Sequence, residues 1–113
     1  VSGGQGNIAS GIAASVSGGV LNTAIGFFAT VSAGSKNTAS GNSASVSGGQ
    51  DNVASEAAAS VSGGRENKAT GDFASVSGGS KNTAQGSAAS VSGGYQLKAA
   101  EPHDWAGGGR PKY

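Results

Sequence analysis

The sequence predicts an all-β fold, a parallel β-roll or solenoid of seven fifteen-residue coils with two short strands in each coil. Three observations predict it. Val returns at positions 1, 16, 31, 46, 61, 76 and 91, each time followed by Ser and a glycine pair or its near equivalent. Counted from each Val, the repeat reads V-S-G-G-x-x-N-x-A-x-G-x-x-A-S, with six full copies and a seventh that decays. A period this short signals stacked coils, each leaning on its neighbours. Within the repeat, inward-type and outward-type residues alternate with the period of two expected of a strand with one buried face.

The first alternating run sets Ala14, Val16 and Gly18 against Ser15 and Ser17; the second sets Asn22, Ala24 and Gly26 against Thr23 and Ile25. Gly19, Val20 and Leu21 part the runs at one end, and Gly26, Phe27 and Phe28 at the other. Glycines suit backbone with positive φ, so both stretches read as corners. Val16, Val31, Val46, Val61 and Val76 are expected to face inward, one above another, as the structural repeat. Asn22, Asn37, Asn52, Asn67 and Asn82 belong to the same set and are expected to exchange amide hydrogen bonds along the stack.

Coil 1 (residues 1–15) carries Ile8 and Ile12, and coil 2 (16–30) carries Val20, Leu21, Ile25, Phe27 and Phe28. This apolar end is expected to pack beneath a neighbouring chain or domain rather than to line a ligand pocket. Ala33 in coil 3 (31–45) shows that the first glycine of the pair needs no positive φ, whereas the fourth place is glycine in every copy. Glu56 replaces the second-corner glycine in coil 4 (46–60), which predicts a relaxed corner there. Coil 5 (61–75) is the most charged; coil 6 (76–90) adds Lys81 at the place of Lys36, Asp51 and Glu66. Like places lie about 4.8 Å apart in neighbouring coils, so these four form a solvated edge of mixed sign that discourages sideways strand pairing.

Coil 7 starts at Val91 and then departs from the pattern at Leu97, Glu101, Pro102 and Asp104-Trp105. Terminal coils of a solenoid are usually atypical. Trp105 is expected to cap the stack by folding over Val91 and Ala99, closing a β-roll domain of residues 1–105. Residues 106–113 read as a flexible exit.

Composition narrows the function. The 113 residues form one structural unit, but with 22 Gly, 3 Phe, 2 Tyr and 1 Trp they exclude an ordinary globular core. The phase kept from Val1 to about Ala99 argues against a disordered linker, which has no reason to keep it. Net charge is +1 without a basic stripe, so nucleic acid is not an expected partner. No apolar run is long enough to span a membrane, and membrane attachment is expected only through regions outside this sequence, which opens in mid-pattern. One Val and two Ala per coil make a thin core, so association with copies of itself is the expected remedy.

Neither catalysis nor a cofactor or metal is expected. His103 is the one histidine and stands with Glu101 and Asp104 in the irregular coil, where a lone imidazole is usually just solvated. The serines lack a neighbouring base and a G-x-S-x-G context, and the Gly-Gly pairs lack the Gly-Lys-Ser/Thr ending of a phosphate loop. Acidic residues hold no fixed place, which excludes a calcium-binding roll of the G-G-x-G-x-D kind.

The alternation N-x-A-x-G followed by A-S-V-S-G-G is clean in Asn37-Thr38-Ala39-Ser40-Gly41 and Ala44-Ser45-Val46-Ser47-Gly48-Gly49. From Val1 to about Ala99 it resembles the head repeats of trimeric autotransporter adhesins, the YadA-like family. That resemblance implies a left-handed parallel roll, three copies side by side in a homotrimer, and an extracellular position on the cell surface with an outer-membrane anchor elsewhere. It further implies a host surface or matrix component as a partner. The departures are specific. The commonest family unit is one residue shorter, its aliphatic pair is reduced here to Val with Gly two places on, and its neck motif is missing from Glu101 to Tyr113. The spacing itself does not set the hand, and the general preference is for right-handed crossovers. Phage tail fibres use similar trimeric stacks. The rival from another class is an ice-binding solenoid, because Ser-Val-Ser at each junction puts two hydroxyl files, from Ser15 and Ser17 onward, on one flat face.

Overall fold

A computed structural model describes residues 1–107 of the chain. Each coil crosses two parallel sheets. Seven strands, from Ile8–Ala9 to Lys98–Ala99, make the first, and seven more, from Ser15–Val16 to Trp105–Ala106, make the second. Pairing advances by one repeat each time, so Thr38 lies against Val53 and Ser45 against Ser60. A third file of bridges joins Gln5, Val20, Ser35, Gln50, Arg65, Ser80 and Tyr95 between the sheets. The predicted parallel solenoid of fifteen-residue coils is therefore present, with no helix among the described residues.

Counting places from each Val, the interior is made of places 1, 7, 9 and 14. Val16, Val31, Val46, Val61, Val76 and Val91 fill place 1, and alanines such as Ala24, Ala29, Ala54 and Ala59 fill places 9 and 14, all essentially free of solvent. Each inward residue lies on its own kind: Val46 pairs in register with Val31 below and Val61 above. The strands are only two residues long because a turn follows each almost at once.

Most ladder bonds run from an amide to the carbonyl of the following coil, as in Ser47 N–H to Val61 O at 2.9 Å and Gln50 N–H to Gly64 O at 2.9 Å. Two places reverse this direction. Lys36 N–H donates back to Val20 O at 2.9 Å and Ser43 N–H back to Phe27 O at 2.7 Å. Both residues have φ near +57°, which turns the amide over. The same left-handed backbone recurs at place 6 (Leu21, Asp51, Glu66, Lys81, Gln96) and at place 13 (Ala13, Phe28, Ala58, Phe73, Ala88, His103), none of them glycine.

The two glycine corners differ from expectation. At place 4 the prediction holds: Gly19, Gly34, Gly49, Gly64 and Gly79 have φ between 87° and 98°. A Cβ there would also run into the next coil's glycine carbonyl and the Asn side chain of its own coil. At place 11 positive φ is not the reason. A Cβ on Gly41 or Gly71 would collide with the backbone of the coil above, so glycine is needed for close stacking. Glu56 stands at that place with its turn intact, Ala59 N–H reaching Glu56 O at 3.1 Å as Ala44 N–H reaches Gly41 O at 3.1 Å. The positive φ of this corner falls two residues later, giving the hydrogen bond and third-residue backbone of a type II turn. At place 3, Gly48, Gly63 and Gly78 have open space around a would-be Cβ, which is why Ala33 fits.

Coil 7 keeps its strands and second turn although its sequence decays, while its first turn shifts, with φ of 155° at Gly93 and 128° at Gly94. Lys98–Ala99 pairs with the strand below, Trp105 pairs with Ser90 and Ala106 with Val91, and Asp104 N–H closes onto Glu101 O at 3.1 Å. Pro102 takes the second residue of this turn, where its fixed φ is favoured. Of the segment read as a flexible exit, Ala106 is thus in a strand, and 108–113 lie outside the described residues.

Candidate interaction surfaces

The repeat's asparagines form a continuous inner spine. Asn52 donates from Nδ2 to Gly48 O at 2.9 Å in its own coil and to Gly64 O at 3.0 Å in the next, while its Oδ1 accepts Asn67 N–H at 2.9 Å. Asn22, Asn37, Asn67 and Asn82 repeat this set, and all five are fully buried. The expected amide-to-amide exchange is therefore corrected: the side chains serve backbone groups of the first turn, not one another. Of the two carbonyls, Gly64 O also accepts the ladder bond from Gln50 N–H, whereas Gly48 O depends on the Asn amide once water is excluded. Leu97 ends the spine. Its N–H still reaches Asn82 Oδ1 at 2.9 Å, but its buried side chain offers nothing to a coil beyond.

Trp105 is not folded over Val91 and Ala99. It occupies place 15, the outward position of its strand, with 64% of its surface exposed, and its Nε1–H donates to Ser92 Oγ at 2.8 Å. The strand continues straight after the Pro102 turn, so place 15 points away from the interior as in every other coil. Inner residues of coil 7 are Val91, Leu97 and Ala99.

Two outer faces and two corner edges remain for partners. On the second sheet, place 15 (Ser15, Thr30, Ser45, Ser60, Ser75, Ser90) and place 2 (Ser17, Ser32, Ser47, Ser62, Ser77, Ser92) project outward in strict register. Among the described residues only Ser92 has its hydroxyl engaged by another side chain. The first sheet shows a mixed exterior of Thr23, Thr38, Val53, Lys68, Thr83 and Lys98 at place 8. The predicted apolar end is exposed: Ile8 and Ile25 lie on the first sheet's face, Val20 and Leu21 on the first turn, Ile12, Phe27 and Phe28 on the second.

Among the described residues no three His, Cys, Asp or Glu gather as metal ligands would, so Glu101, His103 and Asp104 do not converge. On the mixed-sign edge Arg65 Nε lies 3.6 Å from Glu66 Oε1, both well exposed, and such a pair adds little. Sequence reasoning missed the left-handed residues at places 6 and 13, because side chains as different as Leu21, Lys36, Phe28 and His103 occupy them. Pro102 was the available signal, since Pro at the second residue of a type II turn calls for positive φ at the third. The chain matches no protein-family model and no curated protein.

Proposed function

We propose that the chain is a structural and interaction segment rather than an enzyme: a β-roll that associates side by side as a homotrimer, displayed outside the cell as part of an adhesin or fibre. The observation that carries this reading is the set of large apolar residues that coils 1 and 2 expose on one face and both turns of a solenoid whose core is built from valine and alanine. Phe28 is 62% and Phe27 51% exposed, and fully burying such a side chain is worth about 1.5 to 3 kcal/mol. Copies of the chain that cover these residues also enlarge a core too thin for its length. The repeat's resemblance to YadA-like adhesin heads supports the same reading, with attachment to a host surface or matrix component and an anchor in regions outside this sequence. A phage tail-fibre segment is a close variant. Sedimentation equilibrium should give a species of three times the 10.6 kDa chain mass. A monomer at every concentration would sink the reading.

The in-register Ser files favour a second reading, ice binding, because an exposed file at place 2 and a half-buried one at place 15 repeat with about 4.8 Å between coils. Serine lacks the methyl group with which threonine orders surface water, which weighs against it. Thermal hysteresis well above that of a control protein at equal concentration would replace the adhesin reading with this one.

A further inference from the structure

The charged residues are sorted by edge. Of the described lysines and arginines, Lys36, Arg65 and Lys81 sit on the first turn, whereas Lys68 and Lys98 lie at place 8 on the adjoining face of the first sheet, and all five are exposed. Glu56, Asp72 and Glu101 sit on the second turn, also exposed, while Asp104 takes the inward place 14 in the last coil. Asp51 and Glu66 are the acids on the first turn, and Arg65 lies against Glu66. One edge of the slab is net positive and the other net negative. The apolar residues of coils 1 and 2 divide between the same two edges, Val20 and Leu21 on the first, Ile12, Phe27 and Phe28 on the second.

We infer that copies of this chain join edge to edge, the first-turn edge of one against the second-turn edge of the next, all pointing the same way. This rests on the self-association proposed above and adds which surfaces meet. A cyclic ring brings two different patches together, and rotation about an axis parallel to the solenoid keeps equal coils at equal height. Coil 2 then sets Val20 and Leu21 against Phe27 and Phe28. Coil 5 sets Arg65 against Asp72, with Lys68 on the adjoining face, and coil 7 brings Glu101 to the edge beside the face that carries Lys98. Lys81 of coil 6 lies level with Ser87, between the acids one coil below and one above. The like-charged exceptions are Asp51 with Glu56 in coil 4 and Glu66 with Asp72 in coil 5, where Arg65 lies against Glu66. Apolar contact and charge pairing thus agree on one register, whereas joining like edges would bring acid to acid on the second-turn side and repel.

The chain has no cysteine, so introduced thiols report contacts unambiguously. The test is oxidation of the double variant Lys81→Cys with Ser87→Cys and of each single variant, with the oligomeric state measured alongside. The double variant should form disulfide-linked trimers, and neither single variant should link. A dimer formed by Lys81→Cys alone would mean like edges meet, and a trimer that none of the variants links would mean the faces meet; either overturns the inference and leaves the self-association reading standing. A chain that stays monomeric overturns both. Replacing Asp72 and Glu101 by Lys should weaken association about tenfold or more at low salt. Adding Arg65→Glu and Lys81→Glu to that double variant should restore it; failure of the swap to restore what the double variant loses counts against the edge pairing.

Discussion

The two turns of each coil both use glycine, and for different reasons. At place 4 the backbone itself demands it: Gly64 has φ of 89°, and a Cβ would strike Gly79 of the next coil and the Asn67 side chain. At place 11 the backbone is ordinary and only the closeness of the coil above excludes a side chain. Substitution follows this difference. Place 4 is glycine in all seven coils, while place 11 admits Glu56 and Glu101. The first turn is fixed from inside by Asn; the second is fixed by its own short hydrogen bond and by contact with its neighbours.

Asn52→Leu tests the first turn most severely, because it strips the partner from Gly48 O and from Asn67 N–H in a buried site and leaves Gly64 O only its ladder bond from Gln50 N–H. Each orphaned group costs about 1 to 3 kcal/mol, so a loss of about 4 kcal/mol is expected in urea or thermal unfolding at fixed chain concentration. Gly64→Ala should cost about 3 kcal/mol through backbone strain and overpacking together. Gly71→Ala, at place 11, should cost about 1 to 2 kcal/mol, since a small movement of the coil above relieves it. Gly63→Ala should be neutral or stabilise by up to about 1 kcal/mol, because its surroundings are open and the unfolded chain loses freedom. Equal losses from Gly64→Ala and Gly71→Ala would erase the distinction between the turns.

Period-two alternation made the interior legible, since Val46, Ala54 and Ala59 are small, apolar and in constant phase. Corner positions were legible where glycine marked them. What the sequence hid was anything the stack imposes irrespective of side chain. Coil 7 folds as a coil because the ladder of coil 6 holds its register, despite Leu97, Glu101 and Asp104. Trp105 faces outward for the same reason: place 15 is outward whatever stands there. The partners of Asn were hidden as well, because a recurring Asn suits a side-chain ladder and a backbone clasp equally. At the surface, the edge-by-edge sorting of charge emerges only when positions are folded onto one coil.

The Asn spine has a consequence for the height of the molecule. Asn22 meets coil 3 through the same bonds by which Asn37 meets coil 4. Excising one whole repeat would bring Asn22 against Asn52 with every partner in place, whereas excising a single residue would leave the clasp beyond it out of phase. The chain behaves as a ruler graduated in steps of about 4.8 Å, one per fifteen residues. Gene-level gain or loss of whole units would change how far the segment projects without redesigning a contact, and Leu97, with no amide to offer, marks where the graduations stop.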